Sequence, residues 1–83
     1  GIEEESINSI SVYPNPFNNQ IVIDGEWERG SQFFVFDATG RAVLKGVMNS
    51  NIQTIGTNQL SKGAYLLEVR DNVKSSVQRL VKN

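Results

Sequence analysis

Apolar and polar residues alternate along much of this chain with a period of two, the repeat of strands that bury one face. In SISVYP (residues 9–14), Ile10 and Val12 share one side while Ser9 and Ser11 share the other. In QIVID (20–24), Ile21 and Ile23 point inward, opposite Val22 and Asp24. FFVFD (33–37) is apolar on both faces, which predicts a central strand covered on both sides. AVLKGVM (42–48) is a looser strand and NIQTI (51–55) a short one. AYLLEVR (64–70) sets Tyr65, Leu67 and Val69 against Leu66, Glu68 and Arg70, and SVQRLVK (76–82) closes the chain. These segments make seven strands with no stretch of helical period, so the expected fold is all-β. Short strands at this spacing predict an antiparallel β-sandwich.

The turns between strands add detail. DATGR (37–41) places an aspartate first and Gly40 where a positive φ is needed, then Arg41; this is a type I turn with a following bulge, joining the third and fourth strands as a hairpin. LSKGAY (60–65) has the order of the corner entering strand F of immunoglobulin-like sandwiches: an apolar anchor (Leu60), a turn glycine (Gly63), then Tyr65. In that reading the Tyr65 hydroxyl bonds to backbone a few residues upstream. The alternative, that Tyr65 is simply an inward aromatic, is compatible with it.

VYPNPFNNQ (12–20) sets Pro14 and Pro16 on either side of Asn15. A proline has no N–H and drives the preceding residue away from helix. In an extended chain both missing donors lie on one side, so the stretch reads as the blunted end of an edge strand that turns a corner at Asn18 and Asn19.

Composition limits the chemistry. The chain has 83 residues, enough for one domain burying roughly 60–65% of its unfolded surface, with a net stability of roughly 3–5 kcal/mol. There is no cysteine and no histidine, which removes disulfides, thiolate metal sites and the commonest general base. The net charge of −1 hides a gradient: residues 1–28 carry six acids and no base, while residues 62–83 hold Lys62, Arg70, Lys74, Arg79 and Lys82 against Glu68 and Asp71. The longest apolar runs span four residues, against about 20 for a bilayer-crossing helix, so membrane insertion is not expected. Gly1–Ser6 reads as a linker or tag remnant, and residues 7–83 as the domain.

Catalysis finds little support. Asp24, Glu26 and Glu28 alternate in DGEWE, but without a base or metal partner, and their spacing matches no calcium loop. Trp27, between two of these acids, could stack on a sugar ring, or it could cover one open end of the core. A basic face with exposed aromatics, as nucleic-acid binding requires, is absent from the pattern. Neither a catalytic group nor a cofactor is expected.

Taken together, SVYPNPFNN, VFDATGRAV, LSKGAYLLEV and VQRLVKN occur in an order and spacing that resembles the C-terminal sorting domain of the type IX (Por) secretion system of Bacteroidetes-type bacteria. The resemblance covers residues 10–82 and implies an immunoglobulin-like sandwich of about seven strands. It implies a non-catalytic signal at the end of a larger parent protein. The cargo would reach the periplasm by an ordinary signal peptide and cross the outer membrane through the type IX translocon. In many members a surface sortase would then remove the domain and attach the cargo to an anionic lipopolysaccharide at the cell surface, while others are released into the medium. The matching positions are Pro14, Asn15, Pro16, Gly40, Arg41, Gly63, Tyr65 and the terminal strand with Val77, Arg79, Leu80, Val81 and Lys82. The chain departs from the pattern in ending at Asn83 rather than a lysine. Its last strand is mixed on both faces: Val77, Arg79 and Val81 on one, Gln78, Leu80 and Lys82 on the other. That strand is either a plain edge or one whose free edge and basic residues the translocon grips by strand addition. A blunted edge elsewhere would keep the domain a monomer. The remaining alternative is an immunoglobulin-like accessory module of a secreted enzyme, binding carbohydrate through Trp27.

Overall fold

The structure is a computed structural model and describes residues 10–73 and 75–83; the expected linker at residues 1–6 lies outside them. Seven strands follow one another: β1 (Ile10–Tyr13), β2 (Gln20–Gly25), β3 (Gln32–Phe36), β4 (Ala42–Val47), β5 (Ile52–Gly56), β6 (Gly63–Arg70) and β7 (Ser75–Lys82). They form two antiparallel sheets, one ordered β1-β2-β5 and the other β4-β3-β6-β7. The chain is therefore the expected immunoglobulin-like antiparallel sandwich, and the described residues include no helix.

In β2 and β6 the inward faces are those the alternation indicates, and β3 adds Phe33 and Val35. Ile21 and Ile23 of β2, Phe33 and Val35 of β3, and Tyr65, Leu67 and Val69 of β6 are all buried. Ile10, Val12 and Trp27 pack against the edge of this core. Gly46 lies opposite Phe33 in the β3–β4 register, where a Cβ would stand 2.6 Å from the phenyl ring, so the ring fills space that any side chain would take.

One expectation needs correcting at β3. The strand is central in its sheet, but among the described residues no further layer covers its second face. Phe34 and Phe36 stack on one another there, with ring centroids 6.1 Å apart, and the Arg70 guanidinium lies 4.3 Å from the Phe34 centroid. Aromatic stacking and a cation–π contact do what a second layer would have done.

Both turns take the expected form. The Gly40 amide donates to the Asp37 carbonyl at 2.9 Å, Gly40 has φ +88°, and the register shifts between Val35 and Phe36. Gly63 enters β6 with φ +147°, and the Tyr65 hydroxyl donates to the Ser61 carbonyl at 2.7 Å. Tyr65 is also buried, so it is at once the corner and a core aromatic.

Candidate functional site

β7 pairs with β6 in an unbroken register of eight positions, from Gly63 opposite Lys82 to Arg70 opposite Ser75. Leu80 lies opposite Tyr65 and is 1% exposed, which settles the face of this strand. Gln78, Leu80 and Lys82 look inward, while Val77, Arg79 and Val81 look out, the two valines being exposed large apolar residues. Backbone groups on a strand also alternate between its two edges. At odd-numbered residues of β7 they point away from β6, toward what would be an open sheet edge.

Part of that edge is occupied. After Tyr13 the chain leaves the β1-β2-β5 sheet and crosses to the other one. The Asn15 side chain then behaves as a piece of strand. Its Nδ2 donates to the Arg79 carbonyl at 3.1 Å, and its Oδ1 accepts from the Val81 N–H at 3.0 Å. Two residues on, the Phe17 N–H donates to the Val81 carbonyl at 2.8 Å, and its own carbonyl accepts from the Asn83 N–H at 2.9 Å. Phe17 forms a parallel bridge with Lys82. An amide side chain supplies one donor and one acceptor at about the spacing of a peptide unit, which is why asparagine suits this place.

The prolines sit elsewhere than the sequence suggests. Pro14 and Pro16 do not lie in an extended strand end with their nitrogens along its edge. They lie beyond Tyr13, the last paired residue of β1, in a bend where both preceding peptide bonds are cis. The edge this segment covers belongs to β7.

A second set of contacts anchors the clasp from inside. Phe17 is fully buried and meets Tyr65 edge-on, with centroids 6.1 Å apart. Thr57 is also fully buried; its N–H donates to the Asn19 carbonyl at 2.8 Å and its hydroxyl to the Asn18 carbonyl at 3.0 Å. The Lys82 ammonium donates to the Thr57 carbonyl at 2.7 Å and stands 5.8 Å from the Phe17 centroid. The buried Thr57 carbonyl is thus satisfied by a charged donor, which is stronger than a neutral one.

The structure brings most of the motif positions together. Asn15, between Pro14 and Pro16, bonds to Arg79 and Val81, while Gly63 and Tyr65 lie opposite Lys82 and Leu80 on the neighbouring strand. Gly40 rims a shallow depression that also includes Leu66, Arg79 and Val81. Arg41 does not join them: it is mostly exposed and pairs with Asp37 at 3.5 Å. Within that hairpin, hydrogen bonds from the Thr39 hydroxyl and then the Arg41 N–H hold the Asp37 carboxyl below its ordinary range. Phe17 and Thr57 escaped the sequence reading. A lone phenylalanine among prolines and asparagines was the available signal for the first; Thr57 carried none.

The other candidate chemistry stays apart from this edge. Asp24 is a strand residue opposite Ser11 and Ile52, and among the described residues no three carboxylate, thiol or imidazole side chains gather as a metal site would need. Trp27 is half-buried against the core at the rim of a depression shared with Met48, the arrangement of a core cover.

Comparison with known proteins gives a consistent picture. Residues 11–83 match the family model described as secretion system C-terminal sorting domain. Among solved structures, the chain is similar to PorZ, an essential bacterial surface component of the type IX secretion system of human oral-microbiomic Porphyromonas gingivalis. The two are 25% identical with a TM-score of 0.68; the match covers 89% of this chain and 11% of PorZ, so this chain corresponds to a small part of that protein. A search of curated proteins returned no match.

Proposed function

Because this chain belongs to the secretion system C-terminal sorting domains, we propose that it is a non-catalytic signal that directs a larger cargo through the type IX translocon. The observation that carries this reading is the family match over residues 11–83, the whole of the sandwich but for one residue of β1. A type IX sorting domain implies export to the cell surface or the medium. The finer route is part of the proposal: cargo passes from the periplasm across the outer membrane, and a surface sortase removes the domain where the cargo is anchored.

The geometry supports a signal read from the outside of a folded domain. Asn15 and the terminal-strand positions lie at β7 and its clasp, and Val77, Arg79 and Val81 face outward. No deep cavity is needed for a partner to reach them.

The test is export of a reporter. A signal peptide and a fluorescent protein are fused to residues 1–83 and expressed in a bacterium with the type IX machinery, beside a matched fusion lacking residues 1–83. Reporter outside the cell only with the domain present is the expected result. Equal periplasmic retention of both would refute the sorting role.

A further inference from the structure

The clasp covers only half of the β7 edge. Arg79 carbonyl, Val81 N–H, Val81 carbonyl and Asn83 N–H are taken by Asn15 and Phe17. The N–H and carbonyl of Val77 and the N–H of Arg79 project along the same edge by the alternation of the strand, and none of the described residues is bonded to them there. Val77 itself is 55% exposed. Open edges of this kind are ordinarily blunted by bulges, prolines or inward charges. This one has an unbroken register and no proline, and the clasp is its cover.

We infer that the half of β7 at Val77 and Arg79, which no described residue covers, is the seat for an extended strand of a partner protein, and that Asn15–Phe17 is the placeholder marking where that strand must stop or displace it. The inference deepens the sorting reading and rests on it for the partner's identity, though not for the strand-accepting edge itself. Two observations choose an extended strand over other occupants. The edge already holds a strand-like segment of its own chain, running parallel to β7 with side-chain and main-chain bonds in sequence. The open donors and acceptor continue the same line, so an incoming strand would extend the sheet in register.

The flanking side chains set the partner's character. On the outer face such a strand would lie beside Val77 and Arg79, the latter exposed and without a carboxylate partner among the described residues. On the inner face it would meet Ser76 and Gln78 at the rim of the core. The fitting strand alternates, with apolar or β-branched residues beside Val77 and an acid within reach of Arg79. The placeholder also changes how proline substitutions must be read. Val81→Pro would remove the donor to Asn15 and open the clasp, so it cannot test the free edge. Val77→Pro removes a donor that points away from β6, a place where a sheet edge tolerates proline.

The test uses the 83-residue chain and a blocked seven-residue peptide alternating valine and threonine with one glutamate. Binding is followed by amide chemical shifts, and each variant's fold is checked by the same spectrum. Shifts centred on Val77 and Arg79 are expected, with affinity reduced about tenfold or more in Val77→Pro and little changed in Val77→Ala. Asn15→Ala should spread the shifts to Val81 and Asn83. Where Val77→Pro does not fold, Arg79→Pro removes the other open donor. Shifts on another face, or equal affinity of wild type and a folded proline variant, would overturn the inference. The same variants in the export reporter separate the two claims. Wild-type export that persists in Val77→Pro leaves sorting intact and rejects the edge as its recognition surface. Failure of wild-type export rejects sorting while the peptide result still judges the edge.

Discussion

Single residues carry much of what distinguishes this sandwich. Asn15 is exposed and polar, in a position where a turn residue would ordinarily be replaceable, yet its amide completes the edge of a strand more than sixty residues away. Asn15→Ala removes two hydrogen bonds, and a loss of about 1–2 kcal/mol in urea unfolding is expected, with faster hydrogen exchange at the Val81 amide. Asp37 works differently. Its folded pKa lies below the ordinary carboxylate range, because the Thr39 hydroxyl and the Arg41 N–H favour the carboxylate. A lowered folded pKa means a stabilisation fully present above the unfolded pKa and lost as pH falls through the folded one. Wild type should therefore exceed Asp37→Asn in Tm at neutral pH, with the gap closing as the pH falls through the folded pKa of Asp37. A gap that widens in acid would contradict this account of the hairpin.

Elements show where pattern alone was ambiguous. β2 and β6 alternate cleanly, and the residues they bury are those the alternation names. β7 does not: each of its faces holds both aliphatic and polar residues, so hydrophobic pattern gives no preference. Its register against β6 decides, by placing Leu80 beside Tyr65 in the core. The two faces should then differ sharply on truncation to alanine. Leu80→Ala is expected to cost about 2–5 kcal/mol, as buried leucines do. Val77→Ala, exposed, should change stability by about 0.5 kcal/mol or less. Equal effects would place the strand in the other register. β3 holds the opposite lesson, since two apolar faces suggested cover on both sides and the second face carries only its own stacked rings and Arg70 among the described residues.

For the whole molecule, the last strand is a structural member as well as a surface. It forms the edge of the larger sheet, supplies Leu80 to the core, and is tied to the β1–β2 connection through Asn15 and Phe17 and to Thr57 through Lys82. Deleting Val77–Asn83 would leave Phe17 and Tyr65 without cover and β6 with a bare edge. Such a truncated chain is expected to lose cooperative unfolding and sharp amide dispersion. A truncation that kept both would show that β7 is an appendage. Failure of export in a truncated chain would therefore report unfolding as readily as loss of a signal, which is why point changes on the outer edge are the sharper instrument.

Much of this protein was legible from residue order: the strand count, the sheet faces of β2 and β6, the Asp37–Gly40 turn and the Tyr65 corner. Each depends on contacts within a few residues, or on an alternation that every strand displays along its own length. The clasp was not legible. Two prolines and an asparagine announce a bend, but nothing local says that Asn15 will meet Arg79 and Val81 rather than water. The same holds for Phe17, Thr57 and the inward turn of Lys82, which exist as a site only because the sandwich brings the β1–β2 connection, the end of β5 and the end of β7 to one corner. Local chemistry chose the strands and turns; long-range closure of the two sheets chose which edge was covered and which was left open.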